Sequence, residues 1–166
     1  MVGTDEICFT AEATLGKLSK WLRILGFDTV YQAGVAGESW IDAAGENRIL
    51  LTRTRQVRER NKDRKLVFIN SNDPFEQVKE VIQTLGLVPE DTKPFSRCTR
   101  CNILIRQVDK DTVRSHVPDY VWETNMIFQI CGRCRRIYWP GSHTQRSHDI
   151  IKNLFADLNI PAGAGS

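Results

Sequence analysis

The sequence predicts an α/β fold, in which a parallel sheet flanked by helices is followed by a small cysteine-bearing module and a short C-terminal helix. Three observations support this architecture. Strand-like and helix-like segments alternate through residues 1–90, two Cys-x-x-Cys pairs lie in the second half, and an amphipathic segment follows them. Alternation of strands and helices is typical of parallel sheets, because parallel neighbours need long crossover connections.

Short apolar runs rich in β-branched and aromatic residues predict four strands, at residues 6–9, 29–31, 49–52 and 66–69. Leucines at helical spacing predict a first helix over residues 15–25. A second helix is expected over residues 39–46, with Trp40, Ala43 and Ala44 facing inward. Each predicted helix thus lies between two predicted strands.

The last helix of this part has the clearest boundaries in the sequence. Asp73 is a good N-cap, Pro74 suits the first helical position, and Glu76 completes a capping box. Gly86 ends the helix. The third and fourth strands are joined by the basic segment 53–65.

The chain divides into four predicted parts. Pro89 and Pro94 frame a polar, charged linker. Apolar residues recur at helical spacing between Gln145 and Leu158, which predicts a short helix. The predicted parts are an α/β domain over 1–90, a cysteine module over 95–143, a C-terminal helix over 144–159 and a disordered tail over 160–166.

The composition, 41% hydrophobic and 26% charged, is that of a globular protein. No apolar run approaches the roughly 20 residues that span a bilayer, and the N-terminus lacks a basic start followed by an apolar stretch. We therefore expect a cytoplasmic protein without a membrane partner.

The positive charge is unevenly distributed along the chain. Residues 1–94 carry 13 Lys/Arg and 14 Asp/Glu, a net charge of −1, whereas residues 95–166 carry 10 and 6, a net charge of +4. A basic module beside a near-neutral domain is compatible with a nucleic-acid partner. A solvated surface would produce the same imbalance, so charge alone does not decide.

The two Cys-x-x-Cys pairs predict a structural zinc site. Two residues between cysteines let both thiolates of a pair face one ion from a tight turn, and four thiolates complete a tetrahedral shell. The alternatives are an iron–sulfur cluster, a redox dithiol or four unrelated core cysteines. In a reducing compartment paired cysteines favour metal binding over disulfides. The predicted Zn²⁺ ligands are Cys98, Cys101, Cys131 and Cys134.

The module around these cysteines reads as a zinc ribbon. Ile103, Ile105 and Val108 precede a loop, and an apolar run over 127–130 returns to the second pair, which predicts a hairpin. The fifth cysteine, Cys8, lies in a predicted buried strand and is interpreted as a small core residue.

Arginines and aromatic residues surround the second cysteine pair. Arginines hold phosphates, and exposed aromatic rings stack on unpaired bases. The alternative is that Tyr138 and Trp139 pack beneath the hairpin. The candidate RNA-binding residues are Arg133, Arg135, Arg136, Tyr138, Trp139 and His143.

Several motifs resemble a known family. They are LGKL at 15–18, WLRILGFD at 21–28, RILLTR at 48–53, RCTRCN at 97–102, the second cysteine pair and YWPGSH at 138–143. The chain resembles the PIN-like ribonucleases of the Mut-seven C-terminal type, in which an α/β nuclease domain is fused to a zinc ribbon. The resemblance implies a PIN-like fold, RNA as the partner, and a carboxylate cluster that holds Mg²⁺ or Mn²⁺.

Carried onto this sequence, the resemblance places the first acid at Glu12, where the family has Asp, and the second at Glu38, with Asp42 one turn later. Asp73, after the fourth strand, is a further candidate at the same end of the sheet, although its capping role explains it without catalysis. The third family acid corresponds to Thr54, which carries no charge. Asp28 matches the motif but lies at the start of a strand, away from the carboxyl ends where such sites form, so we expect it to be structural.

Three classes of function follow from these observations. The protein is a metal-dependent endoribonuclease with a reduced acid cluster, a non-catalytic RNA-binding protein, or an interaction module that docks a protein partner through its ribbon. Thr54 supplies no carboxylate at the position of the third family acid, which weakens the case for an endoribonuclease. RNA association is the reading that the sequence favours.

Overall fold

The computed structural model describes residues 6–34 and 39–161. Its first part is a parallel sheet with the strand order β2-β1-β3-β4. The strands are β1 (Cys8–Ala11), β2 (Asp28–Tyr31), β3 (Ile49–Thr52) and β4 (Leu66–Phe68). The helices of this part are α1 (Gly16–Ile24), α2 (Ser39–Asp42), α3 (Arg55–Arg60) and α4 (Pro74–Leu85). The predicted fold class is confirmed.

Alternate residues of the central strand β3 point to opposite faces, and each face has its own core. Leu51 joins the larger core, which α1 and α4 cover. Leu50 joins a smaller core with Trp40, Ile41 and Val57 from the α2 and α3 side. The sheet is therefore buried on both faces, as a parallel sheet requires.

The second predicted helix is shorter than the sequence suggested. It covers Ser39–Asp42 instead of 39–46, and Ala43 is exposed while Ile41 is buried. Two small residues and Gly45 follow Asp42, and Gly45 has φ of +71°, so the chain turns early. The basic segment 53–65 contains helix α3, which its charged sequence did not indicate.

Helix α4 has the boundaries that the sequence predicts. The Asp73 carboxylate accepts hydrogen bonds from the backbone N–H groups of Phe75 and Glu76, at 2.9 and 3.1 Å. Gly86 closes the helix in the left-handed conformation, with φ of +64°. The predicted capping box is wrong, because the N-cap N–H of Asp73 donates to Ser71 Oγ at 3.0 Å and the Glu76 side chain accepts from Lys79 Nζ at 3.0 Å.

The linker packs against the C-terminal end of α1. Lys93 N–H donates to Leu25 O and Phe95 N–H to Ile24 O, both at 2.9 Å. Gly26 allows this approach, because it has φ of +95° and a Cβ atom there would lie 2.3 Å from Lys93 O. Any larger residue at this position would push the linker away.

The cysteine-bearing part is an antiparallel sheet of β5 (Ile105–Val108), β6 (Phe128–Cys131) and β7 (Ile137–Tyr138). The prediction of a loop between β5 and β6 is wrong. This segment forms a 3₁₀ helix (Lys110–His116) and helix α5 (Asp119–Thr124). Both pack on Phe128 through buried valines, which give the module its own small core: Val113, Val117 and Val121. These valines recur every four residues, but valine is a poor helix former and Pro118 interrupts the run, so packing decides this segment.

The C-terminal helix α6 (Ser142–Asp157) returns to the α/β part. Its buried residues Ile151, Leu154 and Phe155 join the core beneath α1 and α4, and Asp157 pairs with Lys79 at 3.1 Å. It begins two residues before the predicted boundary. Within residues 6–34 and 39–161, none of the helices combines the length and apolar character that a bilayer crossing requires.

The first cysteine pair docks on the edge strand β2 through the backbone of Thr29. Its N–H donates to Asn102 Oδ1 at 2.9 Å, and its carbonyl accepts from Arg23 Nε at 2.9 Å. Arg23 Nη1 also donates to Thr99 O at 2.9 Å. Side chains thus satisfy the backbone groups that a sheet edge would otherwise expose.

Asp28 reinforces this docking, as expected for a structural residue. Its carboxylate accepts two hydrogen bonds from Arg48, at 2.9 and 2.8 Å, and one from Asn102 Nδ2 at 2.7 Å. Arg48 also donates to Phe9 O at 2.9 Å. One carboxylate therefore joins β1, β2, β3 and the first cysteine pair.

We expect Asp28→Asn to lower the free energy of unfolding by about 2 kcal/mol at neutral pH, because charge-assisted hydrogen bonds are lost. Burial alone would raise the pKa of the Asp28 carboxyl, but the hydrogen bonds from Arg48 and Asn102 outweigh it and lower the pKa. A carboxyl with a lowered folded-state pKa stabilises the protein above its unfolded pKa, and the contribution is lost as the pH falls through the folded pKa. Urea unfolding should therefore show a wild-type advantage that shrinks below about pH 4.

The exposed Asp63 provides the matched control. Asp63→Asn should change the stability little at either pH. An Asp28→Asn deficit that stays constant into acid would contradict an ionised Asp28 as the source of the stabilisation.

Candidate metal centre and nucleic-acid interface

The fold brings the four predicted zinc ligands together. Cys98 and Cys101 lie in the turn that follows the linker, Cys131 ends β6, and Cys134 lies in the turn before β7. Their sulfur atoms all lie within 4.8 Å of one another. Among the described residues, no other group of three or more Cys, His, Asp or Glu side chains meets this criterion.

The two Cys-x-x-Cys turns, here called the knuckles (residues 98–102 and 131–135), have the same backbone design. Cys101 N–H donates to Cys98 Sγ at 3.3 Å, and Cys134 N–H to Cys131 Sγ at 3.5 Å. The residue after each pair, Asn102 or Arg135, is left-handed, with φ of +61° or +63°. These N–H···S bonds are the ones that a thiolate site needs, since they stabilise negative charge on sulfur.

Tyr138 supports the first knuckle from β7. Its hydroxyl donates to Cys98 Sγ at 3.0 Å. Burial alone would raise the pKa of the Cys98 thiol, but hydrogen bonds from Tyr138 and from the backbone N–H groups of Cys101 and Arg100 lower the pKa to about 6. The Cys98 thiolate is therefore favoured at neutral pH, whereas burial and the neighbouring sulfurs raise the pKa of Cys101 to about 12. Four convergent sulfurs with supporting donors fit a closed, tetrahedral zinc ion.

The carboxyl edge of the parallel sheet holds Glu12, the residue after β1. Glu12 is buried, with 7% of its surface exposed. Its Oε1 accepts from Thr14 Oγ1 at 2.7 Å and from Arg53 N–H at 2.9 Å. Its Oε2 accepts from Thr52 Oγ1 at 2.5 Å and from Thr54 Oγ1 at 3.1 Å. A carboxylate has about four acceptor sites, so donors of this chain occupy them all.

The other candidate acids lie at helix ends. Asp42 ends α2 and is exposed, and Asp73 caps α4. Glu12, Asp42 and Asp73 do not form a group of three whose oxygen atoms all lie within 4.8 Å of one another. Glu38 lies outside the described residues. Where the family acid would stand, the Thr54 hydroxyl is a donor to Glu12, so the described residues do not fit Mg²⁺ or Mn²⁺ at this edge.

The candidate RNA-binding residues fall into two groups. Arg133 and Arg135 are exposed on the second knuckle, and Arg136 is exposed directly after it. The aromatic members Tyr138, Trp139 and His143 line one cavity of about 610 Å³. Trp139 is half-buried against the module's own core. Its side chain therefore packs in the module and is also partly exposed to solvent.

Two functional features were not predicted from the sequence, one in the aromatic cavity and one at the edge of β2. Tyr120, from α5, lines the same cavity and is 69% exposed. It was missed because α5 was read as loop. The docking role of Arg23 and Asn102 was missed because their partners are more than 70 residues away; the only signal was their place in the family motifs.

Sheet and cysteine site together define an α/β protein that carries a zinc ribbon. A family model described as Mut7-C RNAse domain matches residues 7–151. Because this match covers more than half of the chain, the chain belongs to the Mut7-C RNAse domain family, and the resemblance seen in the sequence is confirmed. Neither a curated protein nor a solved structure matches.

We expect Cys98→Ser to abolish stoichiometric zinc and to unfold the ribbon while the parallel sheet stays folded. The reason is that the ribbon's own core is small, so metal binding supplies much of its folding energy. Elemental analysis of the reduced protein should find one zinc per chain in the wild type. Limited trypsin digestion should then cut the variant after Arg106 or Arg114 but leave residues 6–90 resistant.

Two variants calibrate this result. Cys8→Ser, in β1, should keep its zinc. Tyr138→Phe should keep the four thiolates but weaken zinc by roughly tenfold against a competing chelator, since it removes one hydrogen bond to a ligand. Wild-type protein purified without zinc, yet resistant to trypsin, would refute the structural role.

Proposed function

We propose that this protein binds RNA through its zinc ribbon, and that the nuclease site of its family is reduced here to a hydrogen-bonded Glu12. The exposed Arg133, Arg135 and Arg136 support the first half of this proposal. Arg136 directly precedes β7, and Tyr138 of β7 lines the aromatic cavity together with Trp139, His143 and Tyr120. Cations and partly exposed rings on one module are the combination that holds single-stranded nucleic acid, through phosphates and stacked bases.

Membership in a family of RNase domains makes RNA the natural ligand of this surface. The net charge of +4 on residues 95–166 supports the same partner. A protein partner that docks on the ribbon is the competing reading, and salt dependence separates the two, because phosphate contacts release counterions whereas a mainly apolar protein contact does not.

The environment of Glu12 supports weak or absent cleavage. A divalent ion at this edge must displace hydrogen bonds from Thr52, Thr54 and Arg53 N–H to reach Glu12. It must also approach the cations of Arg53 and Arg55, which adds repulsion. Mg²⁺ gives up its own water reluctantly, so one already satisfied carboxylate is a poor ligand set.

For RNA binding, we expect the triple change of Arg133, Arg135 and Arg136 to Ala to weaken affinity for a short single-stranded RNA by about tenfold or more and to flatten its salt dependence. Fluorescence anisotropy across a salt series measures both quantities. Lys62, Lys65 and Lys152, all exposed, give a control triple with the same loss of charge. Equal behaviour of the two triples would exclude the second knuckle as the RNA surface and favour the protein-partner reading.

For the acid site, we expect Thr54→Asp to create a metal dependence that the wild type lacks. The new carboxylate would stand about where Thr54 Oγ1 now lies, 3.1 Å from Glu12 Oε2. Without a metal ion the two carboxylates would repel each other, and with one they would both bind it. Melting temperatures should therefore fall in chelator and recover with Mn²⁺, and metal-dependent cleavage of RNA should rise.

Thr54→Asn is the control, since it has the shape of Asp without the charge. It should show no Mn²⁺ recovery. Robust Mg²⁺- or Mn²⁺-dependent cleavage by the unaltered protein, lost on Glu12→Gln, would contradict the reduced site. A Thr54→Asp protein indifferent to Mn²⁺ would show that the metal site is not at this edge.

A further inference from the structure

A groove lies between helix α1 and the knuckles, at the junction of the two parts of the molecule. Its volume is about 310 Å³, and Lys20, Arg23, Arg100 and Arg136 line it. Among the described residues that form its walls, no carboxylate is present. Asp28 and the thiolates of Cys98 and Cys101 lie behind Arg23 and favour its charged form. The walls themselves carry four cationic side chains, which favour an anion in the groove.

The positive charge of the groove is held in place by the docking contacts. Arg23 Nε donates to Thr29 O, and its Nη1 donates to Thr99 O and Arg100 O, at 2.9 and 3.2 Å. This fixed guanidinium forms the floor between Lys20 on α1 and Arg100 on the first knuckle. A preorganised cation binds an anion without the entropy cost of ordering a free side chain.

The groove opens at the same edge of the sheet as Glu12. Tyr31, which lines it, ends β2 and pairs in register with Ala11, the residue before Glu12. The Tyr31 hydroxyl donates to Ala13 O at 2.9 Å. Gly16, also in the lining, keeps the wall low, since a Cβ atom there would lie 2.9 Å from that hydroxyl. An extended anion in the groove would therefore run from the knuckles toward Glu12.

We propose that this groove binds the phosphodiester backbone of a single RNA strand, with Lys20 and Arg100 contacting its phosphates from opposite walls. The inference rests on the proposed RNA binding and extends it, because it makes the RNA site composite. The α/β domain supplies one wall and the zinc ribbon the other. A groove of this size can hold one nucleotide unit of a single strand, and it is too small for a duplex.

The test uses zinc-loaded, full-length protein and a labelled 12-nucleotide single-stranded RNA. We expect Lys20→Gln with Arg100→Gln to weaken RNA affinity by about tenfold and to reduce the salt slope by about 1.4, which is two contacts at about 0.7 each. Both residues are exposed, so the fold should be unaffected. The control pair is Lys62→Gln with Lys65→Gln. Both residues precede β4 and so lie toward the opposite edge of the sheet, and we expect their replacement to change neither the affinity nor the salt slope.

Three outcomes would overturn the inference in distinguishable ways. If the groove pair and the control pair behave alike while changes at Arg133 and Arg135 weaken binding, the proposed function stands and the groove does not. If wild-type protein shows no salt-dependent RNA binding, both fail. If inorganic phosphate alone binds the groove below millimolar concentration and the groove pair abolishes it while RNA affinity is unchanged, the site is one for small anions.

Discussion

The edge of strand β2 is the constraint on which the arrangement of the molecule depends. Thr29 presents a backbone N–H and a carbonyl away from the sheet, and Asn102 and Arg23 satisfy them. Open strand edges invite pairing with other chains. Here the edge is closed by two side chains, one from α1 and one from the first knuckle, so covering the edge and docking the ribbon are the same event.

This constraint links the metal to the sheet. Asn102 follows the first cysteine pair and reaches Thr29 from a left-handed conformation that completes the knuckle turn. Its N–H donates to Cys98 O at 2.9 Å, and its side chain also holds Asp28 at 2.7 Å. A zinc ion that fixes the two thiolates therefore also fixes the residue that docks the ribbon. The groove between α1 and the knuckles exists only while this docking holds.

Local patterns predicted most of the fold, and tertiary contacts account for what they missed. The third strand, the Asp73 cap and the cysteine cluster follow from periodicity, cap chemistry and ligand spacing, all of which act over a few residues. The helices between β5 and β6 depend instead on packing around Phe128. Helix α6 was predicted, but its packing on a core more than 60 residues earlier in the chain was not.

The candidate acid site shows the same limit. The resemblance assigned Glu12 and Thr54 to one acid cluster but did not settle whether they meet. They lie in hydrogen-bond contact, because each follows one of the two central strands of the sheet. The sequence did not predict that Thr14, Thr52 and Arg53 N–H complete the shell around Glu12, since threonine is common at strand ends for reasons of propensity. With that shell, the hydrogen bonds of the Glu12 carboxylate are satisfied within the chain.

We expect a zinc ion to hold the knuckle that closes the β2 edge. Hydrogen exchange at one backbone amide, Thr29 N–H, tests it most directly, because the acceptor of this amide is the Asn102 side chain and not a neighbouring strand. With zinc, this amide should exchange slowly. After zinc removal it should exchange far faster, while the amide of Leu50, which donates to Lys65 O at 3.0 Å inside the sheet, stays slow. Equal protection of Thr29 with and without zinc would contradict the claim.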